Sequence, residues 1–78
     1  MPTVLTIGPY RFFFFASDHD EPFHVHVERE DKTAKFWLNP VRLQYNAGFP
    51  RVEITRLQKI VTERQVYLIE AWNAYFSD

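Results

Sequence analysis

Four consecutive phenylalanines, Phe12 to Phe15, constrain the fold of this 78-residue chain more than any other feature. They lie in an aromatic run after Gly8-Pro9, a pattern typical of a β-strand that begins at a turn. Side chains alternate between the two faces of a strand, so four phenylalanines cannot all point into one core. We therefore expect an interior strand with both faces covered. Because one helix covers only one face of a sheet, the run also indicates a partner on the other.

Polar and apolar residues alternate in the next segment, which predicts a strand with two unlike faces. His24, His26 and Glu28 project from one face, whereas Val25 and Val27 project from the other. Two histidines in this arrangement have nearly parallel side chains and would reach one common object. That object is a metal ion, an anion, a nucleotide or a neighbouring aromatic ring.

A hairpin is predicted after the histidine strand. With a two-residue loop at Asp31-Lys32, Glu28 lies opposite Lys35 and His26 lies opposite Trp37. This register pairs an acid with a base and one aromatic ring with another, both of which stabilise a sheet. Asp-Lys lacks the glycine that the tightest turns prefer, so a longer loop is the alternative.

The period becomes helical towards the end of the sequence. Ile54, Leu57, Val61 and Leu68 recur at three- and four-residue steps, and Arg64 alone interrupts the apolar stripe. We predict one continuous helix of about 26 residues, which would be roughly 39 Å long.

These elements predict one domain, residues 1–78, of the α+β class. The expected architecture is an antiparallel β-meander of three to five strands with one long C-terminal helix packed on one face. The strands are predicted at 3–7, 10–16, 23–30 and 33–38, and the helix at 51–76. Residues 41–45 are either a short edge strand or an extended lead-in to the next loop.

Composition narrows the function classes. The net charge of -1 provides no global basic field for nucleic acid, so RNA binding would need a local patch. The chain has no cysteine, which excludes disulfides and thiolate metal sites. The first residues lack a basic region followed by a long apolar run, so we predict no signal peptide and no membrane association. The expected location is therefore cytoplasmic.

His24 and His26 are the candidate catalytic and metal-binding residues. As ligands of a divalent metal they would need a third partner, for which Glu28, His19 and Asp20 are available. As a general acid and base they would need an orienting carboxylate. The acids placed to provide it are Asp18, Asp20, Glu21 and Glu28. The alternative is that no cofactor binds and the histidines contact a partner or neighbouring side chains.

The histidine-bearing face is also the candidate binding surface, because aromatic and cationic residues concentrate there. The predicted partner-binding residues are Arg11, His24, His26, Glu28, Lys35, Trp37 and Arg42. Such a surface suits RNA, whose bases stack on aromatic rings, but the near-zero net charge favours a protein partner or a homodimer.

Several motifs together resemble a small bacterial family known as domain of unknown function 4160. They are Tyr10-Arg11-Phe12-Phe13-Phe14, Glu21-Pro22-Phe23-His24-Val25-His26-Val27, Ala34-Lys35-Phe36-Trp37-Leu38-Asn39-Pro40-Val41 and Glu70-Ala71-Trp72. The chain departs from the family pattern at Phe23, where a second proline is usual, and at Pro50, where a serine commonly begins the helix. The resemblance implies a small accessory protein encoded beside a second tiny protein, a layout like that of a toxin–antitoxin pair.

Two function hypotheses follow. The first is a bacterial binding module, one component of a toxin–antitoxin-like pair, that contacts its partner through the histidine-bearing sheet face. The second is a small RNA-cleaving or metal-dependent hydrolase that uses His24 and His26 as acid and base or as metal ligands.

Overall fold

Three two-residue turns fold the first part of the chain into an antiparallel meander. In the computed structural model, which describes residues 3–77, the turns are Gly8-Pro9, Glu30-Asp31 and Asn39-Pro40. Gly8 and Glu30 have positive φ angles of 56° and 57°, which suits the tight turns between twisted strands. The five strands are β1 (Thr3–Ile7), β2 (Tyr10–Phe13), β3 (His24–Arg29), β4 (Lys32–Leu38) and β5 (Val41–Ala47). They lie side by side in the order β1-β2-β3-β4-β5.

The α+β class and the antiparallel meander are confirmed, but the prediction of one long helix is wrong. Two helices follow the sheet, α1 (Arg51–Glu63) and α2 (Gln65–Phe76). The chain leaves helical dihedral angles at Arg64, where φ is -105° and ψ is 15°. α1 begins beside the end of β3, and α2 ends beside the start of that strand. A twisted sheet is a curved surface, so a change of direction at Arg64 keeps both helices against it.

The hairpin register differs from the predicted one by two residues. The loop is Glu30-Asp31, which places His26 opposite Lys35 and His24 opposite Trp37. A shift of two residues leaves every side chain on its predicted face, because the period of a strand is two. The predicted neighbours across the strands were therefore wrong, and the predicted faces were right.

The hydrophobic core lies between the helices and one face of the sheet. Phe12, Val25, Val27, Phe36 and Leu38 are fully buried there. The helices cover them with Leu57 and Val61 from α1 and with Leu68 and Trp72 from α2.

The phenylalanine run is divided between the two faces, as expected. β2 ends at Phe13, three residues before the predicted end, and a 3-10 turn over Ala16–Asp20, which we call the acidic turn, follows. Phe12 and Phe14 belong to the core under the helices. Phe13 is also buried, on the opposite face, whereas Phe15 is 39% exposed. The second face of β2 is thus covered only in part.

A buried carboxylate joins the start of α1 to the sheet. Glu53 accepts a hydrogen bond from the Tyr10 hydroxyl at 2.8 Å. It also accepts two from the Arg29 guanidinium, at 2.6 Å and 2.8 Å. The N-cap of α1 is Pro50, which provides no side-chain cap, so these bonds add a tie between the first turn and the sheet.

Candidate functional site

The ring of His24 is held with one nitrogen facing into the protein. His24 is fully buried, and its Nδ1 lies 2.9 Å from the carbonyl oxygen of Pro22. A carbonyl only accepts, so Nδ1 donates this hydrogen bond and the neutral ring has its lone pair on Nε2. Nε2 is buried and has no hydrogen-bond partner among the described residues. It lies 3.1 Å from Oδ2 of Asp18 without making a hydrogen bond to it.

The acidic turn aims the Asp18 carboxylate at the histidines. The Phe15 amide donates to Asp18 Oδ2 at 2.8 Å, and the Asp18 amide donates to the Phe15 carbonyl at 3.0 Å. Aspartate side chains commonly accept hydrogen bonds from nearby backbone amides in this way, which fixes both the turn and the side chain. The same Oδ2 atom lies 3.0 Å from His26 Nε2. Asp18, His24 and His26 therefore form one cluster, which we call the Asp-His-His cluster.

Burial and neighbouring groups set the protonation of this cluster. Burial lowers the pKa of His26, and it outweighs the opposing attraction of the Asp18 carboxylate. Burial raises the pKa of Asp18, but the Phe15 amide and the two histidines outweigh it, so the pKa lies below its usual value. The structure thus favours an ionised Asp18 beside a neutral His26 near pH 7.

Aromatic rings enclose the cluster. The His24 ring makes edge contacts with Trp72 at 4.9 Å and with Trp37 at 5.8 Å between ring centroids. Phe13 stacks on His26 at 5.4 Å, and Phe15 meets it edge-on at 4.6 Å. Alternation places His24 on the face away from the core, yet its ring is fully buried because Trp72 of α2 covers it.

The other predicted metal ligands lie apart from the cluster. Glu28 is paired with Arg11, with its Oε1 3.0 Å from the guanidinium. The exposed His19 contacts Asp20, with 3.3 Å between its Nε2 and the carboxylate. The structure thus brings His24 and His26 together with a different acid. Asp18 was considered only as an orienting carboxylate, because nothing in a local pattern indicates how far the acidic turn folds back.

The remaining predicted binding residues share the sheet face with His26. We define the histidine face as Arg11, Phe13, Phe15, His26, Glu28, Lys35, Trp37, Arg42 and Tyr45. The Lys35 ammonium group lies 5.0 Å from the centre of the Trp37 ring and 2.7 Å from the Glu21 carboxylate. Arg42 lies opposite Trp37 on β5 and is exposed. The binding roles of these residues stay predictions.

A shallow concavity of about 280 Å³ lies on the histidine face. Aromatic rings and the aliphatic parts of polar side chains line it, so its surface is mostly apolar. The lining residues are Phe13, Phe15, His26, Thr33, Ala34, Lys35, Gln44 and Tyr45. Of the Asp-His-His cluster, His26 borders this concavity, so the cluster and the concavity adjoin each other.

Comparison with known families gives one match. Residues 10–73 match the family described as Domain of unknown function (DUF4160). The chain belongs to this family. The matched segment of this DUF4160 protein contains the complete Asp-His-His cluster and the Trp72 ring that covers it. No curated protein and no solved structure matches the chain.

The helices of this DUF4160 protein are short. Over residues 3–77, neither is long and apolar enough to cross a membrane.

Proposed function

We propose that the protein is a binding module that docks another protein on its histidine face. The observation that carries the proposal is the apolar concavity on that face, bordered by two rings that water reaches. Phe15 is 39% exposed and Tyr45 is 55% exposed, although both lie beside a densely packed aromatic cluster. Exposed aromatic rings around a depression are typical of surfaces that receive an apolar side chain from a partner.

Charge on the face favours a protein over RNA. The Arg11 guanidinium lies 3.0 Å from Glu28, and the Lys35 ammonium lies 2.7 Å from Glu21. Each of these cations is therefore balanced by a carboxylate, and the chain as a whole has a net charge of -1. Binding to a phosphate backbone depends on unbalanced positive charge, which these two residues do not provide. A partner that presents an apolar side chain between polar groups suits the face better.

The buried position of His24 weighs against acid–base catalysis by the two histidines. A general acid or base must come within hydrogen-bond reach of the reacting group. His24 is fully buried, and its Nδ1 already donates to the Pro22 carbonyl. A pair in which one ring is inaccessible is poorly placed to cleave RNA. The family resemblance instead supports a partner of the toxin–antitoxin kind, encoded beside this protein.

The experiment measures complex formation with the small protein that, as the family resemblance implies, an adjacent gene would encode, and it also measures self-association. We would determine the dissociation constant by calorimetry for the wild type and for Phe15→Ser combined with Tyr45→Ser. Loss of two contact rings should weaken binding by at least about tenfold, since aromatic anchors at interfaces typically contribute 1–2 kcal/mol or more. Val52→Ser combined with Val66→Ser, at helix positions that are each 69% exposed, is the matched control and should bind like the wild type.

Three results would contradict or redirect the proposal. Absence of both a heteromeric complex and self-association at roughly 100 μM would overturn it. A complex whose dissociation constant is unchanged in the variant with both Phe15→Ser and Tyr45→Ser, which we call the face variant, would place the interface elsewhere. RNA cleavage by the wild type that is lost in His26→Gln, but retained in the face variant, would favour the hydrolase.

A further inference from the structure

We infer that Asp18, His24 and His26 bind a divalent first-row transition-metal ion, for which Zn²⁺ is the best match. The ligand atoms are Nε2 of both histidines and the carboxylate of Asp18, which all lie within 4.8 Å of one another. The inference concerns the buried cluster beside the docking concavity, and it holds whether or not a protein partner binds there.

The orientation of His24 is the first reason. Its Nδ1 donates to the Pro22 carbonyl at 2.9 Å, so in the neutral ring the buried Nε2 is the atom that carries the lone pair. A carboxylate oxygen of Asp18 lies 3.1 Å from this nitrogen without a hydrogen bond between them. Two electron-rich atoms at that distance repel each other unless a proton or a metal cation lies between or beside them, and with a neutral His24 ring the metal ion fills that place. A backbone carbonyl that accepts from the other ring nitrogen is also the usual outer partner of a metal-bound histidine.

The convergence of three donors is the second reason. Asp18 Oδ2 lies 3.0 Å from His26 Nε2 as well as 3.1 Å from His24 Nε2. Zinc bonds of about 2.0–2.2 Å in a tetrahedral arrangement separate the ligand atoms by roughly 3.3–3.6 Å. The Asp18 oxygen needs to move away from each histidine nitrogen by only a few tenths of an ångström to admit the ion.

The donor types select the metal. Imidazole nitrogen favours zinc, copper, iron and nickel, whereas magnesium and calcium prefer sites made entirely of oxygen. Two histidines and one carboxylate leave at least one coordination position for water or another ligand. His26, whose side chain is 17% exposed, is the member of the cluster that borders the concavity.

The bound ion would fasten the acidic turn to β3. Asp18 belongs to the turn over Ala16–Asp20, whereas His24 and His26 belong to the strand. An ion that binds only the folded chain stabilises it by a free energy that grows with the logarithm of one plus the ion concentration divided by the dissociation constant. It would also hold Phe15, whose amide donates to Asp18 at 2.8 Å, at the border of the docking concavity.

Zinc binding to the untagged full-length protein tests the inference. The protein is stripped with a chelator and titrated with Zn²⁺ in competition with a chromophoric indicator, while native mass spectrometry measures the stoichiometry. We expect one ion per chain and a rise in Tm when it binds. Co²⁺ in the same site should produce visible absorption bands that show nitrogen and oxygen ligation.

The variants separate ligands from bystanders. Asp18→Asn keeps an acceptor for the Phe15 amide and His26→Ala alters a partly exposed ring, so both should fold, which circular dichroism checks. Each should weaken zinc binding by more than about 100-fold, beyond the loss that removing an outer-shell group causes. His19→Ala, which removes the exposed third histidine, should bind zinc like the wild type.

The inference is overturned if the folded wild type binds no stoichiometric zinc. It is equally overturned if zinc binding persists in both cluster variants, or if His19→Ala abolishes it. Folded cluster variants that lose the ion but keep the affinity for a protein partner would leave both this inference and the docking proposal standing.

Discussion

Arg29 at the end of β3 donates two hydrogen bonds, of 2.6 Å and 2.8 Å, to the carboxylate of Glu53 in the first turn of α1. The Tyr10 hydroxyl completes the set from β2 at 2.8 Å. Paired charges of this kind depend on each other, because removing one leaves the other without its partner. The contact links the helices to the sheet at one end, as Trp72 does at the other.

The first prediction concerns this link. Glu53→Gln should lower the free energy of unfolding, because it discharges the acceptor of both the Arg29 and the Tyr10 hydrogen bonds. Urea denaturation followed by circular dichroism measures the change. Glu63→Gln, an exposed carboxylate at the end of the same helix, is the control and should unfold like the wild type. Equal stability of the two variants would show that the buried link contributes nothing.

The second prediction is a pH dependence that the same residue causes. Hydrogen bonds from Arg29 and then from Tyr10 lower the pKa of Glu53 below its ordinary value of 4.5. The stabilisation is therefore complete above that ordinary pKa and is lost as the pH falls through the lower folded-state value. Wild-type stability should decrease more steeply than that of Glu53→Gln below about pH 4.5. Parallel pH profiles of Tm for the two proteins would refute this.

The third prediction concerns the core. Phe36 is fully buried beneath the helices, so Phe36→Ala should cost about 3–5 kcal/mol of unfolding free energy. A loss this large removes much of the stability of a domain of this size, so low temperature or a stabilising osmolyte is needed for the measurement. Tyr45→Ala, on the adjacent strand and 55% exposed, should cost less than about 1 kcal/mol. Similar costs for both changes would contradict the assignment of the sheet faces.

The fourth prediction concerns the hydrogen bond that holds the start of α2, just after the break between the helices. The Gln65 side chain donates to the Leu38 carbonyl at 2.6 Å and so ties the start of α2 to the end of β4. Gln65→Ala should cost about 0.5–1.5 kcal/mol, the usual contribution of such a bond, in a denaturant titration. The exposed Gln58 on α1 provides the matched control as Gln58→Ala. No difference between the two alanine variants would indicate that the bond is not formed in solution.

The fifth prediction distinguishes the two tryptophans by their access to solvent. Trp72 is only 5% exposed, whereas Trp37 is partly exposed on the histidine face. Acrylamide should therefore quench the fluorescence of Trp72→Phe, which retains Trp37, more strongly than that of Trp37→Phe. The reverse order of quenching constants would mean that α2 does not cover the start of β3.

The sequence could predict the faces of the sheet because alternation has a period of two. The hairpin after β3 illustrates both the strength and the weakness of this signal. Moving the loop from Asp31-Lys32 to Glu30-Asp31 exchanges every cross-strand neighbour, yet Val25 stays with the core and His26 stays opposite it. Hydrophobic pattern therefore determines the face of a residue, and turn geometry determines its neighbours.

The candidate site was predictable only in part. The spacing of His24 and His26 placed two donors on one side of a strand, which local geometry alone ensures. Their third neighbour depends on the acidic turn, where the Phe15 and Asp18 backbones bond each other and aim the carboxylate. The burial of His24 depends on Trp72, which lies 48 positions further along the chain. Neither relationship leaves a local pattern.

The order of the strands also bears on how the protein is made. Each strand pairs with the strand synthesised just before it, so the sheet is able to assemble in the sequence in which the ribosome releases it. Both helices follow the fifth strand, so the apolar side of the sheet stays uncovered until they emerge. During that interval the nascent chain presents the rings of Phe12 and Phe36, which are buried in the folded protein, to solvent or to a chaperone. A ribosome that stalls between the last strand and α1 would therefore release a fragment prone to aggregate rather than an inert one.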